Sequence, residues 1–314
     1  LTALTAAANN AAMDGSDFRR ARARAADAAP GAAPETRPEL PYVLIEPLRR
    51  TAPLIFSSPH SGRRYPAELL AQTRVGLLSL RRSEDAYVDE LFASAASHGA
   101  AVLSASVARV YVDLNRDPAE LDRDMFEDGL PPTTASARVQ AGLGAIPRIS
   151  GDGQMLYRRK LTLADAEQRI AAIHRPYHAM LANLVAETKA MFGCAVLVDC
   201  HSMPSSARGA HAPDVVLGDR FGASCHASVT ALAEATLRRM GYRVARNAPF
   251  AGGHTTQTYG RPVNHVHALQ IEINRALYVD ERTLERTNGY ARIRADMARL
   301  AEALSAAALH KSLA

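Results

Sequence analysis

Tryptophan is absent from this 314-residue chain, and aromatic residues make up only 5% of it. So thin an aromatic supply argues against a surface on which nucleic-acid bases stack. Cysteine is scarce too: Cys194, Cys200 and Cys225 are an odd set with no CxxC pair. They exclude a disulfide framework and fit a reducing compartment, so the expected location is the cytoplasm. No apolar run approaches the roughly 18–20 residues that span a bilayer, so no membrane partner is expected. The net charge is +5, yet no Lys/Arg block is long enough to track a phosphate backbone. A modest positive excess of that kind suits anionic small molecules rather than nucleic acid. What is present is ordinary globular material, 47% hydrophobic and 22% charged, enough for a full core. Nothing in it specifies an oligomeric state.

Residues 1–41 stand apart, with 14 alanines, five arginines, five acidic residues and Pro/Gly punctuation. This Ala/Arg-rich segment lacks the apolar core of a signal peptide and is too acidic for a transit peptide. It is expected to be a disordered extension, with Met13 an alternative start. From residue 42 to 314 the pattern is that of one domain. Short β-branched runs predict strands at Tyr42–Glu46, Leu54–Ser58, Ala101–Ala105, Val107–Leu114, Ala195–Asp199, Val215–Gly218 and Leu269–Asn274. Apolar residues at i, i+3 and i+4 predict helices over Glu84–His98, Thr162–Phe192, Ser224–Met240 and Asp280–Ala308. The alternation predicts an α/β fold: a single domain whose central mixed, mostly parallel sheet is covered by helices. Residues 116–160, rich in Gly and Pro, read as long functional loops.

Three clusters carry chemistry. His60 in SSPHSG and His201 in VDCHS each lie just past a predicted strand, where ligands of open α/β sheets gather. Two imidazoles and one acid make a catalytic zinc site. Asp85 and Glu84, opening the next helix, compete for the place of the acid. The plain alternative for each histidine is a hydrogen-bonded loop residue. The second cluster, VARVYVDLNRDP, reads as a strand ending in Asp113, Asn115 and Arg116. Arg116 is a natural bidentate clamp for a substrate carboxylate, with Asn115 beside it. Arg109 is placed to polarise a carbonyl oxygen; the alternative is a salt-bridge cluster closing the strand. In the third cluster, Glu272 sits between Ile271 and Ile273, a costly place for a carboxylate unless it serves as a general base. Its alternative is a buried salt bridge with Arg275. The loop GGHTTQTYGRP offers His254, Thr255 and Thr256 to a substrate, or is a structural turn. His174 and His178 are expected to share one face of a helix rather than make a second metal site. Cys200 is expected to point into the core, opposite His201.

Taken in order, PHSG, ED-x-x-VD-x-L, DLNRDP, LVDCHSMPS, GGHTTQTYG and QIEINR resemble the blocks of the N-formylglutamate amidohydrolase family. The resemblance runs from about Tyr42 to Tyr278, and the family is distantly similar to zinc carboxypeptidases and aspartoacylase. It implies a phosphorylase/hydrolase-like, zinc-carboxypeptidase-like fold and one Zn2+ held by His60, His201 and an acid. Asp85 matches that acid best, with Glu84 the competitor. Where zinc carboxypeptidases keep the acid, three residues after the first histidine, this chain has Arg63. The resemblance further implies Glu272 as general base and Asn115 with Arg116 as the substrate clamp. Arg109 matches the carbonyl-polarising arginine loosely. The implied substrate is an N-acyl amino acid, N-formyl-L-glutamate, cleaved to formate and glutamate during histidine degradation. Two other readings stay open: hydrolysis of another N-acyl amino acid or peptide, and non-catalytic binding of an acidic ligand.

Overall fold

A computed structural model describes residues 40–129, 136–206 and 213–309. The extension expected over 1–41 lies outside the described residues except for Leu40 and Pro41. The carbonyl of Pro41 accepts the Ser106 N–H at 2.9 Å.

Seven strands form one sheet: β1 Tyr42–Ile45, β2 Leu54–Ser58, β3 Ala101–Ala105, β4 Ala195–Met203, β5 Val215–Gly218, β6 Val244–Arg246 and β7 Val266–Asn274. Their spatial order is β1-β3-β2-β4-β7-β5-β6. The four central strands β3, β2, β4 and β7 run parallel. β1 and β5 join them antiparallel, and β6 follows β5 in parallel. The sheet is therefore mixed and mostly parallel, as expected. The described helices are α1 Ala67–Gln72, α2 Leu77–Arg81, α3 Val88–Phe92, α4 Ala137–Gln140, α5 Leu163–Arg169, α6 Arg175–Phe192, α7 Ala227–Arg239, α8 His254–Tyr259 and α9 Tyr290–Leu309. No described helix is long and apolar enough to cross a membrane.

Strand alternation divides the core into two layers. Val196, Val198 and Cys200 of β4, with Leu269, Ile271 and Ile273 of β7, pack against α3, α7 and α9. The intervening Ala195, Leu197 and Ala268 pack against Tyr177 and Leu181 of α6. Continued along the same strands, that second row becomes Asp199 and His201 on β4 and Gln270 and Glu272 on β7. The face that buries alkyl groups at one end of the strands thus presents ionisable groups at the other. Cys200 points into the core, as expected.

The structure moves several boundaries. Val107–Leu114 is not a strand. Only Val107 makes a bridge, to Arg64, and the segment turns through hydrogen bonds from Ala108 to Arg64, Tyr111 to Ala108 and Asp113 to Ala145. Its apolar residues are buried in the α6-side core, so their alternation reports burial without strand pairing. The helix expected from Glu84 begins at Val88 and tightens into a 3-10 turn at Ala93–His98. Asp85 therefore lies ahead of the helix, its N–H bound to the His60 carbonyl at 2.9 Å. The last helix begins at Tyr290, ten residues later than expected, after a turn-rich 280–289 segment. β4 runs on to Met203, placing His201 inside the strand, though past the point where β2 stops pairing with it. The expected helix Thr162–Phe192 is present as α5, one π turn at Ile170–His174, and α6. It is opened by a Thr162–Asp165 capping box.

Candidate active site

His60 follows β2 by two residues, in a turn that passes against the loop after β3. A side chain at Gly62 would meet the Val107 carbonyl oxygen at 2.0 Å, so PHSG needs its glycine for this close approach. His60 and His201 lie on neighbouring stretches of chain with their Nδ1 atoms 3.1 Å apart. Asp85 Oδ2 faces both, 3.0 Å from His201 Nδ1 and 3.4 Å from His60 Nδ1. All three residues are at most 3% exposed.

Each member is held from behind. His60 Nε2 donates to Asp113 Oδ1 at 2.7 Å. Asp113 also accepts the Asn115 N–H at 2.9 Å and Arg109 Nη2 at 2.6 Å. His201 Nε2 lies 3.0 Å from Asp199 Oδ2. Asp85 Oδ1 accepts Arg275 Nη2 at 2.7 Å. His60 thus uses Nε2 on a carboxylate, the usual outer-shell support of a metal-ligating histidine, whereas His201 Nε2 has both Asp199 and Asn115 Nδ2, at 3.0 Å, behind it. Both rings turn Nδ1 toward the shared centre. Burial alone would raise Asp85, but hydrogen bonds from His201 and His60 and the Arg275 charge hold it well below the ordinary carboxylate range. Burial likewise opposes ionisation of Asp113, and Arg109 with His60 outweighs it. Burial opposes a charge on His201 too, yet Asp199 and Asp85 push its pKa well above that of a free imidazole. A centre so surrounded by carboxylates favours a cation. The Nδ1, Nδ1 and Oδ2 separations of 3.0–3.4 Å match the roughly 3.3 Å ligand spacing of a tetrahedron with bonds near 2 Å. These three residues fit a small metal ion.

Glu84, the rival acid, turns away: Tyr65 Oη donates to it at 2.5 Å and Arg81 Nε is 3.4 Å distant. Glu272 stands opposite His201 in the β4–β7 register. Its Oε1 accepts Gln270 Nε2 at 2.8 Å. The salt bridge to Arg275 that sequence reading offered as the alternative does not form, because that guanidinium is taken by Asp85 and Ser202. Burial pushes Glu272 up to about 7, with Asp85 adding to the shift and His201 opposing it.

The cluster opens into a cavity of about 650 Å³, lined among others by Glu272, Arg109, Asn115, Arg116 and Arg138. Arg116 donates to the Leu143 and Asn115 carbonyls at 3.0 Å each, and no carboxylate among the described residues forms an ion pair with it. Burial lowers its pKa, and Arg109 and Arg138 lower it further. Asn115 is more deeply held than a mere clamp requires. Its Nδ2 donates to Asp199 at 3.3 Å and its Oδ1 accepts the Thr255 N–H at 2.8 Å.

The segment expected as a polar loop contains α8 instead. A side chain at Gly253 would lie 2.4–2.7 Å from the Asn115 amide, so the second glycine of GGHTT admits that amide. Thr255 and Thr256 are fully buried and do not line the cavity. Thr256 Oγ1 instead donates to the Gly253 carbonyl at 3.0 Å. Arg63, the odd residue of the motif, pairs with Asp89 and Glu90. Sequence reading gave no role to Asp113, Asp199 or Gln270. The last two were legible, each lying two residues before a named site residue on the same strand face. Asp113 was not, since no spacing rule links it to His60.

Fold and cavity together define an α/β protein of hydrolase type, with carboxylates, imidazoles and guanidinium groups gathered where the central strands end. The chain belongs to the N-formylglutamate amidohydrolase family, whose model matches residues 52–279. It is 35% identical over 243 residues to an N-formylglutamate deformylase of Pseudomonas aeruginosa, covering 74% of this chain and 84% of that one. A Pseudomonas putida N-formylglutamate deformylase is 33% identical over 242 residues, covering 73% and 82%. The crystal structure of N-formylglutamate amidohydrolase from Ralstonia eutropha JMP134 superposes with a TM-score of 0.82 at 35% identity. That match covers 87% of this chain and all of that one.

Proposed function

We propose that this protein hydrolyses the amide of N-formyl-L-glutamate to formate and L-glutamate, as a zinc enzyme of histidine degradation. The observation that carries the reading is the pairing of Glu272, a buried carboxylate with no salt bridge among the described residues, with the His60–Asp85–His201 cluster in one cavity. His60, Asp85 and His201 would hold the ion. Bound there, zinc would act as a Lewis acid and bring the pKa of a water toward about 7.

The chain's own residues do the rest. Glu272, a buried carboxylate opposite His201 in the same cavity, would take a proton from the attacking water and return it to the departing amine. Arg109 is fixed by Asp113 and lines the cavity, where it would stabilise charge developing on the carbonyl oxygen. Arg116, a cation without an ion-pair partner among the described residues, would bind a substrate carboxylate by a charge-assisted pair. Asn115 orients that arginine and fastens its loop to β4 and α8.

The test is release of the free amino acid from a panel of N-formyl and N-acetyl amino acids, with formate or acetate as the second product, and the neutral diamide of N-formylglutamate as control. Efficient turnover of the N-formyl diacid and poor turnover of the diamide are expected. Equal rates on the two would remove the carboxylate clamp and favour a broader amidase.

A further inference from the structure

Three more imidazoles converge behind the loop that carries Asn115 and Arg116. His174 and His178 share one helix face, as the sequence suggests, with ring centroids 4.3 Å apart. His254, first residue of α8, closes on them from across the fold, its ring 5.3 Å from His178 and 5.9 Å from His174. One potential ligand nitrogen from each lies within 4.8 Å of the other two.

We propose that His174, His178 and His254 form a second cation site, for a divalent first-row transition metal such as Zn2+. The i, i+4 spacing of His174 and His178 is that of a helical chelating pair. Their tautomers are set by partners that can only accept. His174 Nε2 donates to the Arg116 carbonyl at 3.0 Å and His178 Nε2 to the Leu114 carbonyl at 2.7 Å. Each neutral ring is therefore left with its lone pair on Nδ1, the arrangement that outer-shell carbonyls impose on metal-binding histidines.

The contact of His178 Nδ1 with Tyr259 Oη, at 3.0 Å, is replaceable. That hydroxyl has one proton and a second acceptor at 3.0 Å, the His178 carbonyl, so it keeps a bond when Nδ1 turns to a metal. His254 is weakly tethered, its ring nitrogens 3.4–3.5 Å from Thr258 Oγ1. The π turn at Ile170–His174, a local distortion common at functional positions, ends on the first of the three histidines. His178 and His254 are half-buried, which leaves an open side for water. Three imidazoles with no carboxylate select zinc, copper or nickel over magnesium or calcium. A metal here would tie α6 and α8 to the Leu114–Arg116 backbone that positions the substrate clamp.

The proposal rests on neither the first cluster nor the activity proposed above. The experiment is metal-stripped full-length protein equilibrated with Zn2+ and counted by elemental analysis, then repeated with Co2+ and followed by its visible absorption. The wild-type chain should bind two equivalents and His254→Ala one, while His60→Ala should keep the second equivalent. Added Zn2+ beyond the first equivalent should raise the melting temperature of wild type but not of His254→Ala. Circular dichroism of the metal-free His254→Ala chain shows whether it is folded, and His254→Gln serves as the second variant. A wild-type count that does not fall in either His254 variant overturns the proposal. The three histidines would then be only hydrogen-bonding supports that bracket Asn115.

Discussion

Replacing Glu272 by glutamine tests the proposed chemistry and the burial argument with one variant. The amide keeps the side chain's shape, and its oxygen can still accept the Gln270 Nε2 hydrogen bond of 2.8 Å. Turnover should fall by about 10²–10⁴-fold, the usual worth of a positioned general base, with metal content unchanged. Stability of the metal-free protein should move the other way. Burial raises the carboxyl from 4.5 to about 7, and at about 1.4 kcal/mol per unit this is about 3 kcal/mol. An acid whose pKa is higher in the fold than in the unfolded chain weakens the fold as pH rises. That penalty is absent below about pH 4.5 and complete above about pH 7. Metal-stripped Glu272→Gln should therefore exceed wild type by up to about 3 kcal/mol at pH 8, with the gap closing toward pH 4.5. Urea denaturation at both pH values reads the difference, and formate release reads the turnover. A variant that is less stable at pH 8 and turns over normally would refute the reasoning, because Glu272 would then be a structural carboxylate.

Asp85→Ala should lose zinc together with activity, while Glu84→Ala should keep zinc and lose stability through its Tyr65 and Arg81 contacts; elemental analysis separates them. Arg116→Lys keeps the charge but not the planar fork, so KM for the diacid should rise about tenfold or more, with the diamide little affected. Glu90, which binds Arg63, Arg286 and Tyr290, is the opposite pH case from Glu272. Burial would raise its pKa, but these partners lower it, so its stabilisation is present above about pH 4.5 and fades as pH falls through the lowered folded pKa. Glu90→Gln should cost about 1 kcal/mol at pH 7 and progressively less in acid, measured by urea denaturation across that range.

Most strands were legible because buried strands are short β-branched runs bounded by turns, and central β2 and β3 and the antiparallel β5 fall where those runs do. Val107–Leu114 has the same signature for a different reason. It is a loop pressed between the sheet and the 146–161 region, so its apolar residues are buried without a neighbouring strand. Periodicity registers burial, not hydrogen-bond partners, and cannot tell the two apart. Short α8 was hidden because glycines and threonines advertise a turn; only its contact with Asn115 explains why Gly253 stands there. β6, three residues long, is too short to show any period at all.

The site residues were easier to pick than their supports, and electrostatics explains why. His60, His201 and Glu272 are conspicuous in sequence because each is a polar group in an apolar or strand-end setting, where desolvation demands a reason. Asp113 and Asp199 supply part of that reason; Asp199 could be found from its place two residues before His201, but nothing in the sequence links Asp113 to His60. Once all are placed, most charges around the cluster have a direct partner of opposite sign. Arg109 has Asp113, Arg275 has Asp85, His60 has Asp113 and His201 has Asp199. Glu272 and Arg116 form no such pair among the described residues. A buried carboxylate kept near neutrality and a half-buried cation kept without a counter-ion both weaken the empty protein. In the proposed reaction each would be relieved, the first by a proton from water and the second by a substrate carboxylate. The two charges left unpaired among the described residues are thus the ones that the proposed hydrolysis of an anionic substrate would use.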